Sequence, residues 1–170
     1  MESKTKVLGH PLHPQMINFP LALLTWATVA DILYLLTRSN AFATLSYWNL
    51  IGGVIGGLAA APVGFIDWLH IPDGTRARRI GLMHGGGNLV VVSLFGASLW
   101  LRRNSREHIP NTAALALAMA GLGLISITGW LGGELVDRLG VGVDDGANLN
   151  APNALSGKPA FVTDQILADL

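Results

Sequence analysis

Four apolar runs, each close to 20 residues, are separated by short polar stretches: Met16–Leu36, Tyr47–Phe65, Ile80–Leu101 and Ala113–Leu131. A helix of that length matches the hydrocarbon thickness of a bilayer, so each run reads as a membrane span. Tryptophans mark the ends of these runs as interfacial anchors do, with Trp48 opening the second, Trp68 following it, Trp100 closing the third and Trp130 closing the fourth. The connections, roughly 37–46, 69–79 and 102–112, are short enough to make successive helices antiparallel neighbours. The pattern therefore predicts an all-α integral membrane protein, a four-helix up-down-up-down bundle with both termini on the same side. Residues 1–15 form an N-terminal His-Pro segment, 16–138 the transmembrane domain, and 139–170 a tail rich in Gly, Asn, Ala and Pro. The tail reads as irregular, with Phe161, Val162, Ile166, Leu167 and Leu170 spaced for one face of a short terminal helix.

Two features inside the spans bear on packing. Gly52, Gly53, Gly56 and Gly57 form overlapping small-xxx-small pairs, which let a neighbouring backbone approach closely. Pro20 sits near the start of the first span, where it predicts a kink or the first helical turn. Asp31 lies near the other end of that span, and a hydrogen bond to a neighbouring helix is expected, with Tyr47 and Trp48 as candidate partners.

Composition agrees with a lipid environment: 51% of residues are hydrophobic and 13% charged, against about 25% charged in soluble domains. With 11 basic and 11 acidic residues the chain offers no broad electropositive surface for nucleic acid. The absence of cysteine excludes disulfides, thiolate zinc sites, cysteine-ligated clusters and c-type haem attachment, so a metal would be held by His, carboxylate or Met. No signal-peptide pattern precedes the first span, which is expected to act as its own insertion signal. The face carrying the termini receives Lys4, Lys6, Arg76, Arg78, Arg79, Arg138 and Lys158, the other Arg38, Arg102, Arg103 and Arg106. That bias predicts cytoplasmic termini in a multi-pass inner-membrane protein.

The threading gathers His10, His13, His70 and His84 at the terminal face and leaves His108 on the other, where it reads as an ordinary loop residue. Asp67, Glu134 and Asp137 join the first group. Ionisable side chains at membrane depth are costly and usually paired, lining a cavity or holding a cofactor, and His84 is the best placed for such a role. In Gly9-His10-Pro11-Leu12-His13-Pro14 the spacing of three predicts both imidazoles on one side of a helical turn, opposing His84 across the bundle. Two neutral imidazoles from facing elements are what a b-type haem requires. In that reading Gly85, Gly86 and Gly87 clear side chains from beside His84, Arg76, Arg78 and Arg79 meet the propionates, and Asp67 or Glu134 accepts the second imidazole N–H. The same histidines with a carboxylate alternatively suit a zinc, copper or iron ion. Each feature also has a plainer use: glycines pack helices, arginines anchor at the interface, and acids cap helix ends. There is no HExxH and no GxxxxGK, so neither zincin-type proteolysis nor nucleotide binding has its motif, and no catalytic residue is assigned.

The segments HPLHPQMINFPLALL (His10–Leu24) with Asp31, GFIDWLHIP (Gly64–Pro72), His84, and GWLGGELVDRLGVGV (Gly129–Val143) resemble a bacterial membrane family known as domain of unknown function 2231. The resemblance covers roughly residues 8–143. It implies a four-span membrane domain and, because similar domains can be joined to Rieske-type iron-sulfur modules, a redox setting without an assigned reaction. The family's closing segment more usually carries histidine where this chain has Leu139, so a site including that position is incomplete here. The expectation is a membrane electron-transfer component with haem b, or a metal ion, working with other membrane or redox subunits. The alternatives are a cofactor-free accessory subunit of a larger complex and a small transporter.

Overall fold

The computed structural model describes residues 1–161; the greater part of the proposed terminal helix, from Val162 onward, lies outside the described residues. Two short strands, β1 (Lys6–Val7) and β2 (His10–Pro11), pair antiparallel and lead into four long helices, α1 (Leu12–Thr37), α2 (Asn40–Leu69), α3 (Arg76–Arg102) and α4 (Thr112–Gly133). A single π-helical turn, Glu134–Arg138, continues α4, and 3₁₀ turns stand at Arg106–His108 and Ala154–Ser156. All four helices are long and apolar enough to cross a membrane. They pack as two hairpins, α1 on α2 and α3 on α4, joined chiefly between α2 and α3.

The helices overrun the apolar stretches that announce them. α2 begins at Asn40 rather than near Tyr47, and α1 at Leu12 rather than Met16. Hydropathy marks where lipid is, whereas a helix continues until a residue stops it. Nothing in Ala41–Ser46 does so, and the turn between α1 and α2 is made by Arg38, in the left-handed region at φ 59°, and Ser39. Thr75 and Asn111 cap α3 and α4 by accepting hydrogen bonds from the backbone N–H groups of Arg78 and Ala114. Pro20 falls inside α1 instead of in its first turn, buried against Gly56 of α2. Close packing of neighbouring helices is what makes an interior proline tolerable in a span.

The α2 glycines act as the small-xxx-small pattern predicts. A Cβ at Gly52 or Gly53 would meet Leu23 or Leu24 of α1, one at Gly56 would meet Pro20, and one at Gly57 would meet Val92 of α3. The core is built from Leu24, Ala27, Leu50, Val91, Phe95, Ala118 and Ile125, with the Phe95 ring lying over Gly121.

At the end of the bundle away from the termini, the expected partners of Asp31 are replaced by another. Arg102, which the sequence places among the charges of the exposed loop, is wholly buried as the last residue of α3, and its guanidinium meets both Asp31 oxygens at 2.7 and 2.9 Å. Ser46 Oγ accepts from it at 3.1 Å and Ser98 Oγ at 2.9 Å, while the Ser98 hydroxyl donates to the Ala114 carbonyl. The network thus ties all four helices together. A bidentate, fully hydrogen-bonded pair is the form in which two charges persist in a low-dielectric interior. Tyr47 instead stacks on His108, ring centroids 3.6 Å apart and planes within 4°.

Candidate functional site

The four histidines of the terminal face do not form one cluster. His13 and His84 meet, with ring centroids 6.5 Å apart and planes at 87°. His13 lies in the first turn of α1, and His84 sits in α3 eight residues beyond Arg76, a rise of about 12 Å. His10 is in β2, before the helix begins, so the spacing of three does not carry it to the same side of a turn as His13. It is exposed and lines an open groove with Pro11, Pro14, Val136 and Val141. His70 is exposed at the end of α2 with its Nδ1 2.8 Å from the Ile66 carbonyl of its own helix. Among the described residues no group of three or more His, Asp or Glu side chains is placed to hold a metal ion.

Each member of the pair is fixed by a neighbouring helix. His13 Nδ1 lies 3.1 Å from the Ala60 carbonyl of α2, and His84 Nδ1 lies 2.8 Å from the Thr128 carbonyl of α4. A carbonyl only accepts, so both rings carry their proton on Nδ1 and keep Nε2 as a lone pair. Glycine makes room for both: a Cβ at Gly64 would stand 2.7 Å from the His13 ring, and one at Gly132 3.1 Å from His84. Asn88, one turn along α3, brings its amide nitrogen to 3.1 Å from His84 Nε2. The sequence pattern places this residue in the same turns but assigns it no role, although its spacing of four from His84 on one helix face is the signal that finds one.

The supporting residues take other roles than those expected of them. Arg76 pairs with Glu134 at 2.6 Å. Arg78 donates to the carbonyls of Trp68, Leu69 and Ile71, closing the C-terminus of α2, and lies over the Trp68 ring. Arg79 is exposed and, among the described residues, makes no ion pair. The imidazole N–H groups go to backbone carbonyls, while Glu134 goes to Arg76 and Asp67 accepts from Ser3, Lys4 and Thr5 of the N-terminal segment. Gly85 and Gly86 face open space, and only Gly87 packs closely, against Thr128.

The N-terminal segment is tied to the chain beyond α4 by Lys6, whose ammonium reaches Glu2 at 2.8 Å and Asp144 at 2.6 Å. The hydrogen bond from Lys6 holds the Glu2 carboxyl below its usual range, and the bond to Asp144, with that to Glu2, holds the Lys6 ammonium above its own. The contribution of Glu2 is complete above its ordinary value and is lost as pH falls through the lowered one. That of Lys6 is complete below its ordinary value and is lost as pH rises through the raised one. A nitroxide on Val7→Cys, in a chain without other cysteines, is therefore expected to be immobile between about pH 5 and 10 and to gain mobility on both sides. An electron paramagnetic resonance profile that stays flat beyond both ends of that range would contradict the latch.

Comparison with the curated proteins and with the solved structures gave no match. Residues 9–145 match the family described as predicted membrane protein (DUF2231). That stretch contains the four helices and both members of the histidine pair, so the chain belongs to this family of membrane proteins.

Proposed function

We propose that the protein is a membrane electron-transfer component in which His13 and His84 would hold a b-type haem. The observation that carries this reading is the pair itself: two imidazoles from different helices, each anchored through Nδ1 to a backbone carbonyl, with the Asn88 amide as the neighbour that a ligand would displace from His84 Nε2. Ring orientation and tautomer set by an outer hydrogen bond are the usual condition of a metal-ligating histidine. The spacing also agrees. The ring centroids stand 6.5 Å apart, close enough for one bound group to be held by both imidazoles. Bound there, a haem supplies one-electron transfer. The residues of this chain fix the imidazoles, and Arg79 offers a guanidinium not engaged elsewhere among the described residues.

His10 and His70 drop to a secondary place in this proposal, as does an ion site of zinc, copper or iron, for which two imidazoles alone leave the donor set short. Without cysteine, these 170 residues do not themselves supply thiolate ligands for an iron-sulfur cluster. The burial of Arg102 supports the expected orientation. It removes one arginine from the far face, leaving Arg38, Arg103 and Arg106 against Lys4, Lys6, Arg76, Arg78, Arg79 and Arg138 at the terminal face, a bias that favours cytoplasmic termini in the inner membrane.

A second reading has its own observation. Asn88 already occupies His84 Nε2, and the rings pack on Gly64 and Gly132, as in a cofactor-free accessory subunit whose histidines brace the helix ends. A reduced-minus-oxidised spectrum of the purified protein with iron analysis separates the two. The haem reading expects a b-type signal at near-stoichiometric iron, lost in His13→Ala and His84→Ala and retained in His70→Ala. Wild type without haem, or haem retained in both alanine variants, rejects it.

A further inference from the structure

We infer that residues 1–8 form a plug, latched by the Asp67 carboxylate, that closes the aqueous entrance to His13. Among the described residues, every hydrogen bond to the Asp67 side chain comes from this one stretch. The Ser3 hydroxyl donates to both of its oxygens at 2.8 and 3.0 Å, the backbone N–H of Lys4 donates at 2.8 Å and that of Thr5 at 3.3 Å, and the Thr5 hydroxyl donates at 3.2 Å. Ser3, three residues into the chain, is 5% exposed. A carboxylate receiving that many donors from a short segment holds it by charge-assisted bonds, stronger than those between neutral groups.

The position of the latch gives it a purpose. Gly64, against which the His13 ring lies, is one turn before Asp67 on α2, so the contact with Ser3 and Thr5 lies directly beyond His13 at the α1–α2 end. The Leu12 N–H donates to the Thr5 carbonyl at 2.8 Å, folding the segment back onto the start of α1. The return is made at Leu8 and Gly9, with φ of 52° and 81°. Glycine adopts that region freely, but a leucine does not. Leu8 is 72% exposed and is not held there by burial of its side chain. Leu8 and Gly9 are the two central residues of the β1–β2 hairpin turn, so the segment comes to Asp67 already folded back on itself. The inference concerns access to His13 and stands apart from what His13 binds.

Carbethoxylation of the histidines in the full chain, followed by mass spectrometry, tests it with exposed His70 as internal reference. Asp67→Asn weakens every bond of the latch, and the His13 rate relative to His70 is expected to rise roughly tenfold or more. Ser3→Ala/Thr5→Ala, which removes the two hydroxyl donors and leaves Asp67 in place, is expected to raise it in the same direction by a smaller factor. It decides the matter if Asp67→Asn does not fold. An unchanged His13 rate in the folded variants overturns the plug. So does an equal rise at His108 on the opposite face, which means general loosening.

Discussion

Asp31→Asn and Arg102→Met are each expected to destabilise the folded protein by about 3–5 kcal/mol, among the largest effects of any single change. The reason is the burial. Arg102 has no exposed surface and Asp31 is 1% exposed, so whichever partner remains is left charged and uncompensated inside the bundle. Loss of Asp31 strands a guanidinium with only Ser46, Ser98 and one carbonyl for company. Loss of Arg102 strands a carboxylate in α1. The double variant Asp31→Asn/Arg102→Met removes both charges together and is expected to recover most of the loss, because a buried pair repays its desolvation only in part. Unfolding by denaturing detergent, followed through tryptophan fluorescence, gives the four corners of this cycle. Single variants as stable as the parent, or a double variant worse than their sum, would show that the pair does not hold the far end of the bundle together.

The same pair shows where a sequence stops being legible. Four runs of lipid-compatible length announce four helices, because the hydrocarbon core sets both length and composition. Their ends are less visible, since a helix such as α2 continues through Ala41–Ser46, which lipid does not require and no breaker interrupts. Asp31 is recognisable as an acid that needs a partner, but the partner is chosen by the register between α1 and α3. An arginine next to a loop looks the same in sequence whether it points at water or at a carboxylate. The histidines divide in the same way. His84 stands out because it is alone in an apolar helix, and opposition to an imidazole of the His-Pro segment follows from the diagonal placing of spans one and three. That His13 rather than His10 supplies it depends on where α1 starts, and β2 ends one residue before that point. The acids and arginines of the same face were legible as a group, but their pairings were not, because short electrostatic contacts depend on ångströms that spacing does not fix.

Gly53→Val is the other change with a large expected effect, and it bears on what the glycines are for. A Cβ at Gly53 would lie 2.5 Å from Leu24 Cδ2, 2.6 Å from Leu24 Cγ and 3.3 Å from the Leu24 backbone nitrogen. The side chain can turn away, but the backbone of α1 cannot do so without moving the helix. Leu24 is itself in the core with Leu50 and Phe95, so separation of α1 from α2 spreads inward. Overpacking of this kind costs about 1–3 kcal/mol, and here the upper end is expected, measured by the same unfolding transition. Gly86→Ala is the matched control. Among the described residues nothing lies within 4 Å of the added Cβ, so stability is expected to stay within about 0.5 kcal/mol of the parent. The contrast also bears on the proposed haem. If Gly85 and Gly86 were kept small to admit a macrocycle beside His84, Gly86→Leu would reduce haem content while leaving the unfolding of the haem-free chain unchanged. If both are unchanged, these two glycines serve neither packing nor ligand, and the closeness that matters around His84 comes from Gly87 against Thr128 and Gly132 against the imidazole.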